Sequence, residues 1–238
     1  MTERRRYAIL PRLGLRPALA ETVAARLDAA FADAPAQVDA LDAGCGRKSA
    51  LTNYRKRIRR FVGIDIHPPR AGALPHLDAF ELVDVCGDGS AIGADSFDVV
   101  LSSFTVEHFA DPARAFANLR QWLRPSGRLV LTTVNRRHPF VALYLGIPRP
   151  IQRPLQRLLK ASAADAHPLV GICNDPTRIR DGLEAAGFVD VRVVSVPHLS
   201  RAWGRPLPFF LLGLLGDLFA QPFPSRRSTL VADARVPG

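Results

Sequence analysis

A chain of 238 residues, 47% hydrophobic and 23% charged, is long enough for one domain of sizeable core or a domain with a small cap. Its formal charge of +10 suits an anionic partner (nucleic acid, an acidic membrane surface, or a phosphorylated or carboxylated substrate) without choosing among them. Cys45, Cys86 and Cys173 have no metal-ligand spacing and form no even disulfide set, which excludes a disulfide scaffold and points to a reducing compartment.

The basic start, Met1-Thr2-Glu3-Arg4-Arg5-Arg6, is followed by no signal-length apolar stretch, so mature cytosolic sequence is expected. Residues 1–16, broken by Pro11 and Gly14, are expected to be loosely ordered. Pro17 opens a helix to about Phe31, with Leu19, Val23 and Leu27 at helical spacing. The apolar run 38–42 reads as a buried parallel strand, and Gly44 and Gly46 form the turn into a helix over residues 50–60. Amides at that helix start would face a ligand lying on bare backbone. The run Arg55, Lys56, Arg57, Arg59 and Arg60 reads as a solvated helix face, with a nucleic-acid grip as the alternative.

A second strand, 61–65, ends in Asp65, roughly 20 residues past the glycines, where an acid is placed to bind the two hydroxyls of a ribose. His67-Pro68-Pro69 ends it. Residues 80–85, with Asp84, and 96–103 read as the third and fourth strands. Asp111-Pro112 opens a helix, with aspartate as cap and proline in the first turn. Pro125-Ser126-Gly127 turns the chain into a fifth strand, 128–134. Alternating strands and helices predict a parallel sheet covered on both faces. Residues 135–175 break the rhythm with five prolines, and hold a short helix near 151–160; they read as an insertion over the C-terminal edge of the sheet. Asp175-Pro176-Thr177 caps a helix to Ala186, Gly187 ends it, and strands 188–196 and 228–234 flank an apolar segment, 207–219. The expected organisation is one domain over 1–238, with a basic segment and helix (1–35), a cap (135–175) and an apolar C-terminal segment (201–225).

The layout of glycines and acid is shared by two nucleotide-binding families. The dinucleotide pattern G-x-G-x-x-G is incomplete, since Ser49 holds its last glycine position. Asp42-x-Gly44-x-Gly46 instead resembles the first motif of class I S-adenosylmethionine-dependent methyltransferases, with Lys48 where that family usually has a third glycine. Ser96-Phe97-Asp98-Val99-Val100, Val106-Glu107-His108-Phe109-Ala110-Asp111-Pro112 and Leu123-Arg124-Pro125-Ser126-Gly127-Arg128-Leu129-Val130 resemble its later motifs, most closely in the branch acting on small molecules and lipid-like substrates. The resemblance covers about 36–135, and 175–196 more weakly.

The resemblance implies an α/β, Rossmann-like, doubly wound sheet of seven mostly parallel strands with a last antiparallel strand. It implies S-adenosylmethionine as cofactor. Asp42, Gly44 and Gly46 would line its methionine half, Asp65 would bind the ribose hydroxyls, and Ile66 would pack on the adenine. Asp84 would accept from the adenine amino group, with Val85 beside the ring and Asp88 as a rival for the role of Asp84. Ser102, Ser103 and Phe104 follow the fourth strand, where the family places the reactive methyl.

The function that follows is methyl transfer to a small or lipid-linked amphipathic acceptor, O-directed, by in-line displacement. A sulfonium methyl is already activated, so positioning supplies most of the rate and a base is needed only for a hydroxyl or similar acid. His108, on the rim after the fourth strand, is the candidate base; the alternative is a structural histidine that orients the loop. His138 and His167 are read as exposed loop residues able to approach the substrate. No metal constellation is visible. Three other readings stand beside this one: an RNA methyltransferase, suggested by the charge; a catalytically silent methyltransferase fold that binds; and a dehydrogenase. Ser102-Ser103-Phe104-Thr105 cannot form the Asp/Asn-Pro-Pro-aromatic motif of amino-methylating DNA enzymes, and the proline–cysteine pair of cytosine C5 enzymes is absent, which argues against DNA and leaves RNA open; nucleic acid is not the expected partner.

The apolar segment 207–219 is too short to span a bilayer, which needs about 20 residues. It reads as a core or dimer-interface helix, a lid, or a segment that dips into a membrane. Arg201, Arg205, Arg226 and Arg227 flank it, and Pro139 to Leu145 is a second apolar stretch. The expectation is a cytoplasmic protein bound peripherally to an anionic membrane surface, with a homodimer left open.

Overall fold

The computed structural model describes residues 3–68, 74–148, 150–152, 154, 170–203 and 206–238. Seven strands, β1 (Val38–Ala43), β2 (Ile58–Asp65), β3 (Ala79–Leu82), β4 (Phe97–Ser103), β5 (Leu123–Val134), β6 (Val189–Val196) and β7 (Thr229–Arg235), form one sheet in the order β3-β2-β1-β4-β5-β7-β6. The pairs from β3 to β5 are parallel, whereas β7 runs antiparallel to both β5 and β6. This is the doubly wound sheet with a last antiparallel strand that the motifs implied.

Side chains alternate across the sheet, so each strand feeds two cores. Leu41, Ile64, Val100 and Leu131 face helices α3 (Pro112–Trp122) and α5 (Pro176–Ala185) through Phe116, Leu119, Ile179 and Leu183. Ala40, Phe61, Leu101 and Val130 face helix α2 (Leu19–Asp33) through Val23, Leu27 and Phe31. β1 is buried along its whole length, its two aspartates included: Asp39 is held by Arg59 and Arg124, and Asp42 lies at the strand's C-terminal end. The strand order reverses between β1 and β4, so the loops leaving their C-terminal ends part and leave a crevice.

Several expectations need correction. The basic N-terminus is ordered: helix α1 (Glu3–Ile9) leads into a 3-10 turn, Leu10–Leu13. Tyr7, Leu10 and Leu15 pack with Phe210, a contact about 200 positions away that no local pattern encodes. Helix α2 starts at Leu19 rather than Pro17, with Glu21 accepting from the Ala18 amide at 3.1 Å. The segment expected as a helix over 50–60 is a 3-10 helix, Ala50–Arg57, and the chain is already in β2 at Ile58. The tighter helix rises about 2 Å per residue against about 1.5 Å for an α-helix, so a short crossover reaches back along a parallel strand. The third strand ends at Leu82 instead of 85, because the Asp84 carboxylate accepts the Cys86 amide at 2.8 Å and turns the chain out of the ladder.

The basic run also changes character. Arg55 pairs with Asp78, and Arg57 donates to the carbonyl of Phe31 in the last turn of α2 and to those of Pro35 and Ala36 beyond it. Arg59 pairs with Asp39, and Arg60 lies over the Phe97 ring. Hydrogen bonds from Arg59, joined by Arg124, hold the Asp39 carboxyl down at about 2. These arginines fasten crossover to sheet, and the run no longer reads as a nucleic-acid grip.

After β5 come helix α4 (Pro139–Leu145), then α5, and after β6 the helices α6 (Leu199–Ala202) and α7 (Leu207–Ala220). His138 is not an exposed loop residue. It is fully buried and caps α4, its Nδ1 accepting from Phe140 and Val141 amides at 3.2 and 3.4 Å. Burial pushes its imidazole below the ordinary histidine range. His167 and most of the helix expected near 151–160 lie outside the described residues. Among the described residues no helix is long and apolar enough to cross a membrane.

Candidate active site

The turn after β1 is tied to both neighbouring strands. Gly44 and Cys45 amides donate to the Ile64 carbonyl at 2.8 and 3.0 Å. Gly44 sits at φ +79°, and a Cβ there would meet Thr105 Oγ1 at 2.2 Å, so both backbone and space demand glycine. Thr105 in turn donates to the Ala43 carbonyl at 3.2 Å, locking the loop after β4 against the loop after β1. At Gly46 (φ +48°) a Cβ would point into open space, which leaves bare backbone facing a void.

Asp65, at the end of β2, accepts the Gly46 amide at 3.1 Å and the His67 amide at 3.1 Å. Its carboxylate therefore stands beside the glycine turn, where the sequence placed the ribose ligand. Asp42, one turn earlier on β1, is 1% exposed, and its Oδ1 has no hydrogen-bond partner among the described residues. Burial pushes this carboxyl up to about 7, with the Ser49 hydroxyl opposing and the Asp65 charge adding. Ser102, fully buried near the end of β4, likewise has an unpartnered Oγ, while Ser103 Oγ lies 3.2 Å from Thr132 Oγ1.

Ile66 stands on the rim, 48% exposed, an apolar surface open to a flat ring. Val85 is buried, its carbonyl held by Asn118 Nδ2 at 2.9 Å. Asp84 and Asp88 are both exposed at the two ends of one turn, and Asp88 accepts from the Ser90 amide and hydroxyl at 3.0 Å each. The geometry leaves both available for the adenine amino group.

These residues fit the cofactor the motifs implied. An orphaned acid and hydroxyl lie beside bare backbone, with a carboxylate and an exposed apolar side chain at the next strand. The donor set matches an amino-acid head, a ribose diol and an aromatic base. Among the described residues no cluster of three metal-binding side chains occurs.

His108 closes the 3-10 turn Val106–His108 after β4 and is half-buried; its amide donates to Thr105 O at 2.9 Å. Its neighbour Glu107 was missed by sequence reasoning. It is 3% exposed, and its Oε2 accepts from Thr133 Oγ1 at 2.7 Å, with Asn174 Nδ2 donating to the same hydroxyl. The Glu107 carbonyl accepts from Val170 and Gly171 amides, so this turn also anchors the far end of the insertion. An acid next to His108 was visible in the sequence; its partners on β5 and at residue 174 were not. A cleft of about 330 Å³ lies on this side, lined by Arg136, Ala142, Leu145, Val170, Ile172 and Arg178, and not over the glycine turn.

A family model described as a methyltransferase domain matches residues 15–193. The chain is 34% identical over 170 residues to the nocamycin O-methyltransferase of Saccharothrix syringae, covering 65% of this chain and 60% of that protein. It is 31% identical over 132 residues to the ubiquinone biosynthesis O-methyltransferase of Xanthomonas axonopodis pv. citri, covering 53% of each. The matched region thus spans about half to three-fifths of these relatives. The YcgJ protein of Bacillus subtilis shares the fold, with a TM-score of 0.56 at 13% identity over 92% of this chain and 99% of that one. With three quarters of its length under the family model, the chain belongs to the methyltransferase-domain family, in its class I, S-adenosylmethionine-dependent form.

Proposed function

We propose that the protein transfers a methyl group from S-adenosylmethionine to a hydroxyl of a small, amphipathic or lipid-linked acceptor, as a cytoplasmic protein at an anionic membrane surface. The observation that carries the methyl-donor half is the orphaned Asp42 carboxyl beside the glycine turn. The two relatives above, both named O-methyltransferases, support the hydroxyl as acceptor.

Bound, the cofactor supplies a methyl on a sulfonium. The rest is the work of this chain. Asp42, ionised on binding, would hold the cofactor's ammonium. Asp65 would accept from the ribose diol and Ile66 would pack on the base. Ser102 and Ser103 would lie at the methyl-bearing end, and His108 would take the acceptor's proton through its imidazole. Glu107, Thr133 and Asn174 hold the His108 turn in place.

The test is mass spectrometry of a cell extract incubated with the protein and methyl-labelled cofactor, followed by kinetics on the labelled acceptor. His108→Ala should cut turnover by about 10²-fold and leave cofactor affinity alone. A loss under about threefold would remove the base role. Label on RNA rather than on a small hydroxyl compound would overturn the acceptor.

A further inference from the structure

The inward side of α7 is fully spent. Phe210 enters the core beside Tyr7 and Leu10. Gly213 meets the Leu199 carbonyl and Ser200 backbone, where a Cβ would sit at 2.9 Å, and Gly216 lies against Phe140 and His138. Asp217, 1% exposed, accepts from the amides of Leu199 and Ser200 at 3.1 and 2.8 Å and from Ser228 Oγ at 3.0 Å. The helix is thereby pinned with one orientation.

The other side is equally apolar and has nothing over it among the described residues. Leu207, Leu211, Leu212, Leu215, Leu218 and Phe219 are exposed, Leu215 by 62% and Phe219 by 60%. At about 100° per residue these six positions fall within an arc of roughly 140°, with no polar residue among them. Phe223, just past the helix and 47% exposed, extends the strip, its ring 6.5 Å from Phe219. Contiguous exposed apolar surface of this kind marks an interaction site.

The charge around the strip names the occupant. From Leu207 to Arg227 the only acid is Asp217, which is buried and turned inward. Arg226 stacks on Phe223 at the exit of the strip and is exposed, while Arg227 turns back to the Gln221 carbonyl and Arg6 and Arg201 lie over Phe210 and Tyr7 on the inward side. The whole chain carries +10. Exposed leucines and phenylalanines without an acid among them, with Arg226 at the exit and a net charge of +10 on the chain, suit acyl chains under anionic headgroups. A second copy would bring another chain of charge +10 against this one, at a cost in repulsion. With 14 residues the helix lies in the surface rather than across it.

We infer that the outward face of α7, with Phe223 and Arg226, is the surface by which this protein sits on an anionic bilayer. This gives the membrane half of the proposed function its residues, and it stands apart from the cofactor site. Phe210 is core and its loss would unfold the segment, so the test falls on the exposed side chains.

The experiment is flotation with vesicles of phosphatidylglycerol and phosphatidylcholine, against phosphatidylcholine alone, at physiological salt. The wild-type protein should partition at least about tenfold more to the anionic vesicles. Leu215→Ser with Phe219→Ser, both exposed, should lower that partition at least about tenfold with an unchanged melting curve. Arg226→Glu should lower it less. Cofactor heat by calorimetry, read on the same samples, should stay constant, so a fault in the methyl-transfer reading shows separately. Three results would overturn the inference: no flotation with either vesicle, flotation that survives the double substitution, or a dimer in light scattering that the double substitution dissolves.

Discussion

The turn after β1 and the helix α7 depart from ordinary burial in opposite senses. At the turn, the polar Asp42 and Ser102 side chains are buried with unpartnered atoms. Along α7, leucines and phenylalanines face outward with nothing over them among the described residues. Either condition costs free energy: about 1–3 kcal/mol for a buried polar group without its hydrogen bond, and about 25 cal/mol for each Å² of apolar surface left in water. The difference teaches what kind of partner each place fits. A polar orphan in a pocket of bare backbone calls for a small molecule with matching charges. An apolar face on a rigidly pinned helix calls for a surface.

The largest effect expected comes from unpinning the helix. Asp217→Ala strips acceptors from two buried amides and a buried hydroxyl, and should lower unfolding free energy in urea by about 3 kcal/mol or more. Leu215→Ser, on the other face, should change it by no more than about 0.5 kcal/mol. Equal effects at the two positions would mean the two faces of α7 are not distinct.

A smaller effect reads the other region through pH. The Asp42 carboxyl sits at about 7 when folded against 3.8 unfolded. Between those values the folded chain binds more protons than the unfolded one. Its contribution to stability is therefore full below about 4, falls as pH rises to about 7, and is level above. Cofactor affinity should move the opposite way, rising at least about tenfold from about pH 5.5 to about 7.5 if the ionised carboxylate receives the ammonium. Asp42→Asn should flatten both slopes in thermal-shift titrations. A slope that persists in this variant would assign it to another group.

Much of this contrast was legible in the sequence, for local reasons. β1 and the turn announce themselves because Val38, Ala40, Leu41 and Ala43 make a short buried strand around its two aspartates and a residue at φ +79° against Thr105 must be glycine. Asp65 follows from strand length. The apolar character of α7 was equally plain, but not which side faced in, since both faces carry leucine and phenylalanine; Gly213, Gly216 and Asp217 mark the inner face only once α6 is known to lie there. Contacts between distant segments account for the rest. Glu107 finds Thr133 and Asn174, His138 packs under Gly216, and α1 is ordered by Phe210. The arginines after β1 read as a solvated helix face because their partners Asp39, Asp78 and the end of α2 are remote in sequence.

The account rests most on the cofactor lying between the glycine turn and the end of β2. Isothermal calorimetry with S-adenosylmethionine on the wild-type protein and on Asp65→Ala tests this directly. The prediction is saturable binding to the wild type, weakened at least about tenfold in the variant by loss of a charged acceptor. No heat with the wild type at about millimolar cofactor, or an affinity unchanged by the substitution, would contradict it.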